Sequence, residues 1–95
     1  VRKYEVMYIV NASLDDAARQ EVIDQMHKVI TDNRGNVLNV DAWGLKEFAY
    51  RIEDMTKGYY MVITIEADND CIAEFDRLMR INNNIVRYMI VKQEA

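Results

Sequence analysis

From Lys3 to Val10, apolar and polar positions alternate with a period of two. Tyr4, Val6, Tyr8 and Val10 fall on one side, and Glu5, Met7 and Ile9 on the other. That period predicts a strand, and an unpaired buried glutamate is costly, so the tyrosine and valine side is assigned to the core. Both sides are largely apolar, as in a central strand. The period then changes. Leu14, Ala18, Val22, Met26, Val29 and Ile30 trace a helical stripe over about Leu14 to Asn33. Ser13 is the expected N-cap, Asp15 and Asp16 suit the positive helix end, and Gly35 supplies the stop. Val37 to Ala42 reads as a second strand, prolonged by the ribbon "WGLKEFAYRI", and Gly58 to Ala67 as a third. The polar stretch "EDMTKG" between them suits a hairpin loop ending at Gly58. Asp68 or Asn69 caps a second helix with the stripe Ile72, Phe75, Leu78 and Met79. Asn82 to Asn84 close it, since asparagine tolerates the left-handed conformation and competes for helix hydrogen bonds. Ile85 to Lys92 is the last strand.

The resulting order is β-α-β-β-α-β. Two right-handed β-α-β halves place both helices on one face of a four-stranded antiparallel sheet. The predicted fold is therefore α+β, a ferredoxin-like split βαβ, with the opposite sheet face left bare. This fold hosts many functions, so activity must be read from the surface.

With 95 residues, the chain fits a single domain spanning 1–95. A hydrophobic fraction of 51%, three Gly and no Pro exclude a linker-rich or disordered composition. No apolar run approaches the ~20 residues of a membrane span, no signal cleavage pattern follows the first strand, and a cytoplasmic protein is expected. Cys71 is the one cysteine. It has no His or Cys neighbour in sequence and is expected as a packed thiol rather than a nucleophile or ligand.

Catalytic signatures are missing. The chain has no GxxxxGK[ST], GxGxxG, CxxC or HExxH pattern, so no catalytic residue, metal site, cofactor or small-molecule substrate is expected. Asp15 and Asp16 answer to the helix dipole, and Glu53 and Asp54 to a solvated turn. His27, beside Lys28, is expected on the wet side of its helix. An anion loop after the first strand would need glycine and arginine, where "NASLDD" is acidic. The composition points to a binding protein.

A net charge of −4 argues against binding nucleic acid through an overall field, but not against a local basic surface. The first and last strands are neighbours in this fold, which brings Arg2, Lys3, Arg87 and Lys92 toward one side, while acids crowd the helices. Basic side chains at a strand edge equally serve as a defence against edge pairing. Gly44 marks a bulge in the ribbon. Beyond it Lys46, Phe48, Tyr50 and Ile52 share one side, on which Phe48, Tyr50 and Ile52 are expected to continue the core. Trp43 is harder to bury and is a candidate contact residue.

Four segments in this order resemble the bacterial small-subunit ribosomal protein six family: "RKYEVMYIV", "WGLKEFAYRI", "GYYMV" and "RINNNIVRYMIVK". In the family ribbon two adjacent basic residues stand after Trp-Gly. Here Lys46 is followed by Glu47, Phe48 replaces a usual leucine, and Arg51 a common proline. The resemblance implies a non-enzymatic component of the small ribosomal subunit that binds 16S ribosomal RNA together with small-subunit ribosomal protein eighteen. It implies RNA contacts by Arg2, Lys3, Arg80, Arg87 and Lys92, and partner contacts by Trp43, Leu45, Met7, Ile9 and Met89. The partner in that family is small and very basic, which suits an acidic mate.

Two other classes share the strand order. An RNA-recognition motif stacks bases on aromatics of the bare face, and "MYIVNA" and "KGYYMV" imitate its two strand patterns. That reading requires Tyr8 and Tyr59 on the bare face. A regulatory small-molecule module that dimerises through its sheet is the third.

Overall fold

The computed structural model describes residues 2–52 and 55–93, with side chains of 49–52 and 55 left aside. Its elements are β1 (Arg2–Asn11), α1 (Asp16–Asp32), β2 (Asn36–Ile52), β3 (Met55–Ala67), α2 (Asn69–Ile81) and β4 (Ile85–Gln93), in the expected order. The turn expected at Glu53–Asp54, and the facing of Tyr50, Arg51 and Ile52, lie outside the described residues.

The strands form one antiparallel sheet in the order β2-β3-β1-β4, so β1 is central and β2 and β4 are edges. Period-two patterning sets the faces. Tyr4, Val6, Tyr8 and Val10 are buried toward the helices and meet Met61, Ile63 and Ile65 of β3 in register. The stripes of α1 (Val22, Ile23, Met26, Ile30) and α2 (Cys71, Phe75, Met79) close over them. Phe75 is wholly buried. Its truncation to alanine would cost about 3–5 kcal/mol in transfer and cavity terms. The fold class is the ferredoxin-like α+β arrangement read from the sequence.

The helix ends depart from expectation in detail. Asp15, not Ser13, caps α1, and its carboxylate accepts from the Ala18 amide at 2.7 Å. A charged acceptor on the first-turn amides also complements the helix dipole. Ser13 instead donates from its backbone N–H and Oγ to Asn11 Oδ1, at 2.9 and 2.8 Å, closing the turn out of β1. At the other end of α1, Arg34 adopts φ 70°. The Gly35 amide reaches the Ile30 carbonyl at 2.8 Å and the Arg34 amide reaches Thr31, the two bonds of a Schellman cap. The glycine therefore stands one residue past the left-handed position. It is needed for space: a Cβ there would lie 2.7 Å from Ile30 Cγ2 and 2.9 Å from the Glu66 carbonyl. The α2 cap is Asp68, accepting from the Cys71 amide. Asn82 ends that helix in an extended conformation (φ −82°, ψ 114°), and its Oδ1 accepts from the Asn84 amide. The asparagines thus stop the helix by hydrogen-bond competition rather than by a left-handed backbone.

His27 is the largest correction on the helical side. It is half-buried, with Nε2 3.0 Å from the Tyr8 hydroxyl. Desolvation holds the imidazole below its ordinary value, opposed by the nearby Asp24 carboxylate. Burial likewise pushes the Tyr8 phenol up. The stripe periodicity gave no sign of this pair, because a residue at the edge of an apolar stripe can reach inward to a tyrosine that also must satisfy its hydroxyl.

Candidate functional site

Two inserted residues in β2, Leu38 and Trp43, set what the second sheet face displays, and the one at Trp43 governs the ribbon. Asp41 lies opposite Val62 and Ala42 opposite Met61, yet Gly44 rather than Trp43 lies opposite Tyr60. One extra residue has been inserted, with Gly44 at φ +85°. No atom lies within 4 Å of a Cβ built on Gly44, so this glycine is required for its backbone angle alone. The insertion shifts the facing of everything after it. Lys46 comes to lie opposite Gly58 and Leu45 opposite Tyr59.

Phe48 therefore does not continue the helical core. Its ring lies over Gly58 on the open face, next to Ile9 and 6.2 Å from Tyr60 centroid to centroid. A Cβ on Gly58 would approach Ile9 Cγ2 to 2.3 Å and Phe48 Cζ to 2.9 Å. Gly58 is thus a platform inside β3 and not the end of a turn. Trp43 stacks on Tyr60 with 9° between planes and 6.4 Å between centroids, donates from Nε1 to Asp41 Oδ2, and carries Lys46 Nζ above its ring at 5.8 Å. Behind the ribbon, the Arg19 guanidinium covers the Tyr59 ring at 4.2 Å and ties this side to α1.

Reading the register across the strands gives the open face in rows. Gly44, Tyr60, Ile9 and Arg87 form one row, Asp41, Val62, Met7 and Met89 the next, and Asn39, Thr64, Glu5 and Val91 the third. An apolar band thus runs from Trp43 through Tyr60, Val62 and Met7 to Met89 and Val91. Trp43 is 46% exposed, Met89 54% and Val91 45%. The carboxylates of Glu5 and Asp41 sit within or beside it.

Of the partner-contact residues expected from sequence, Trp43, Met7 and Met89 share this face. Ile9 also points there, but it is 7% exposed, sealed beside Phe48 and Gly58, and offers no free surface. Leu45, opposite Tyr59, lies on the other side of the ribbon. The expected basic side resolves into two groups. Arg2, Lys3 and Lys92 sit where β1 begins and β4 ends, with Lys3 opposite Gln93 and Lys92 opposite Tyr4. Five residues back along β4, about 16 Å away at ~3.3 Å per residue, Arg87 lines a groove of about 290 Å³ with Arg80 from the last turn of α2. Arg80 is bound to the Asp76 carboxylate one helical turn earlier. The expected basic residues thus fall at two stations, and of them only Arg87 and Lys92 belong to the edge strand itself.

Tyr60 and Val62 were not singled out from sequence, although counting back from Glu66 in steps of two reaches them. The stacking platform of an RNA-recognition motif is not formed: Tyr8 is fully buried under the helices, and Tyr59 turns to Arg19 on the same side. No group of three or more potential metal ligands occurs among the described residues, and no described helix is long and apolar enough to cross a membrane.

The family model of ribosomal protein S6 matches residues 3–92. The chain belongs to the ribosomal protein S6 family. It is 42% identical over 94 residues, 99% of either chain, to the small ribosomal subunit protein bS6 of Shouchella clausii. The solved structure of 30S ribosomal protein S6 from Thermotoga maritima superposes with a TM-score of 0.92 at 26% identity, covering 97% of this chain and 87% of that one.

Proposed function

We propose that this ribosomal protein S6 family member is a structural component of the small ribosomal subunit, in the cytoplasm, without enzymatic activity, and that it binds 16S ribosomal RNA together with small-subunit ribosomal protein eighteen. The observation that carries the reading is the division of its surface. The open sheet face combines an exposed apolar band with carboxylates, which suits a small basic protein. The two basic stations on the β4 side suit phosphates, each contact being screened by salt. Glu21, Asp24 and Asp32 of α1 are exposed on the helical side and contribute to the negative total, whereas Asp76 of α2 pairs with Arg80 at the groove.

Two measurements test this reading. A tagged chain should be recovered with small ribosomal subunits from lysate, and recovery free of them would overturn the assignment. Arg87→Glu should weaken assembly on 16S ribosomal RNA by no more than about 3 kcal/mol and flatten the salt dependence by about one counterion or more. An unchanged slope would remove Arg87 from the phosphate contacts.

A further inference from the structure

The groove between α2 and β4 has a feature that a plain basic patch lacks. It is lined by Met79 and Arg80 of α2 and by Ile85, Val86, Arg87 and Tyr88 of β4, with Tyr88 on the helical side of the sheet and Arg87 paired to Ile9 on the open side. Arg80 is 67% exposed at the side chain, and a lone guanidinium of that exposure would sample many rotamers. Here the partner carboxylate is fixed from a second element. Tyr88, on β4, donates its hydroxyl to Asp76 Oδ1 at 2.6 Å, and Asp76 Oδ2 accepts from Arg80 Nη2. One carboxylate oxygen is thus pinned by the sheet and the other holds the arginine. The contact with Asp76 uses a single Arg80 nitrogen, and the guanidinium also lies beside the Tyr88 hydroxyl, so the rest of its fork is held in place where an anion can meet it.

Resting on the reading that Arg80 meets ribosomal RNA, we propose that Asp76, clamped by Tyr88, is a positioning residue that holds the Arg80 guanidinium at the groove for a backbone phosphate. The proposal makes a prediction of sign. By field alone, deleting a carboxylate beside an RNA-binding surface strengthens binding. If Asp76 orients Arg80, deleting it weakens binding.

The test measures affinity of the full chain, with small-subunit ribosomal protein eighteen, for 16S ribosomal RNA at fixed salt. Asp76→Ala should weaken binding about two- to fivefold, the scale of one exposed ion pair. Tyr88→Phe, which changes no charge, should act in the same direction and add little to Asp76→Ala. In an Arg80→Gln background Asp76→Ala should have no further effect, whereas loss through unfolding of α2 would persist there. Tighter binding by Asp76→Ala, or an effect undiminished without Arg80, would overturn the proposal. If Arg80→Gln and Arg87→Gln both bind like the parent chain, the groove is not an RNA surface at all, and the functional reading of these arginines falls with it.

Discussion

His27 shows how much a single side chain's setting can differ from its place in a pattern. It lies on α1 next to Lys28, yet its ring turns inward to the Tyr8 hydroxyl, where the Asp24 carboxylate works against the desolvation. Because burial lowers its pKa from the ordinary 6.5, the folded chain binds this proton less readily than the unfolded chain. The stabilisation is therefore complete above pH 6.5 and is lost as pH falls through the depressed folded value. Thermal melts between pH 7 and pH 5 should show a steeper loss for the parent than for His27→Gln, the carboxylates contributing equally to both. Parallel losses would mean that the imidazole is solvated after all. The sequence indicated that residue 27 is helical, but the inward turn depends on where Tyr8 ends in three dimensions, which no local pattern encodes.

The termini of α1 and the bulge of β2 carry the same lesson for elements. The period of each element was legible because burial selects it directly: Tyr4, Val6, Tyr8 and Val10 could face only one way with Glu5 between them. Ends and irregularities were less legible, since several polar residues compete for the same backbone groups. Asp15 displaced Ser13 as the cap, and the left-handed residue after α1 is Arg34 instead of the adjacent glycine. That last detail is open to a stabilising change. Arg34 carries a Cβ at φ 70°, where glycine is unstrained, and it makes no described hydrogen bond through its side chain. Arg34→Gly should raise stability by about 0.5–1 kcal/mol, and Gly35→Ala should lower it, because Ile30, Cys71 and the Glu66 carbonyl already fill the space. Chemical denaturation of the two variants measures both signs. In β2, Gly44 signalled the bulge correctly, but glycine alone does not say which neighbour is the inserted residue. The choice of Trp43 sends Phe48 to the open face and Leu45 to the other.

For the whole molecule, the consequence is a sheet with two unequal apolar faces. One is closed by the helices. The other is closed only near the ribbon, where Phe48, Tyr60 and Ile9 pack over Gly58, and stays open from Trp43 across to Met89 and Val91. Such a band beside carboxylates is costly to leave in water and repelled by a second acidic copy, but complementary to a basic partner. Exposed positions contribute little to folding, so function and stability separate here. Met89→Glu should shift Tm by no more than about 4 °C, yet weaken the complex with small-subunit ribosomal protein eighteen at least about tenfold, or ~1.4 kcal/mol. Trp43→Ala should weaken it similarly, at a further cost in stability through the lost stack on Tyr60. Leu45→Ala, on the opposite side of the ribbon, should leave the affinity within about threefold, well under 1 kcal/mol. Titration calorimetry of the three variants distinguishes the faces: if the partner tolerates Met89→Glu and Trp43→Ala but not Leu45→Ala, it binds along the outer edge of β2 and the open face serves something else.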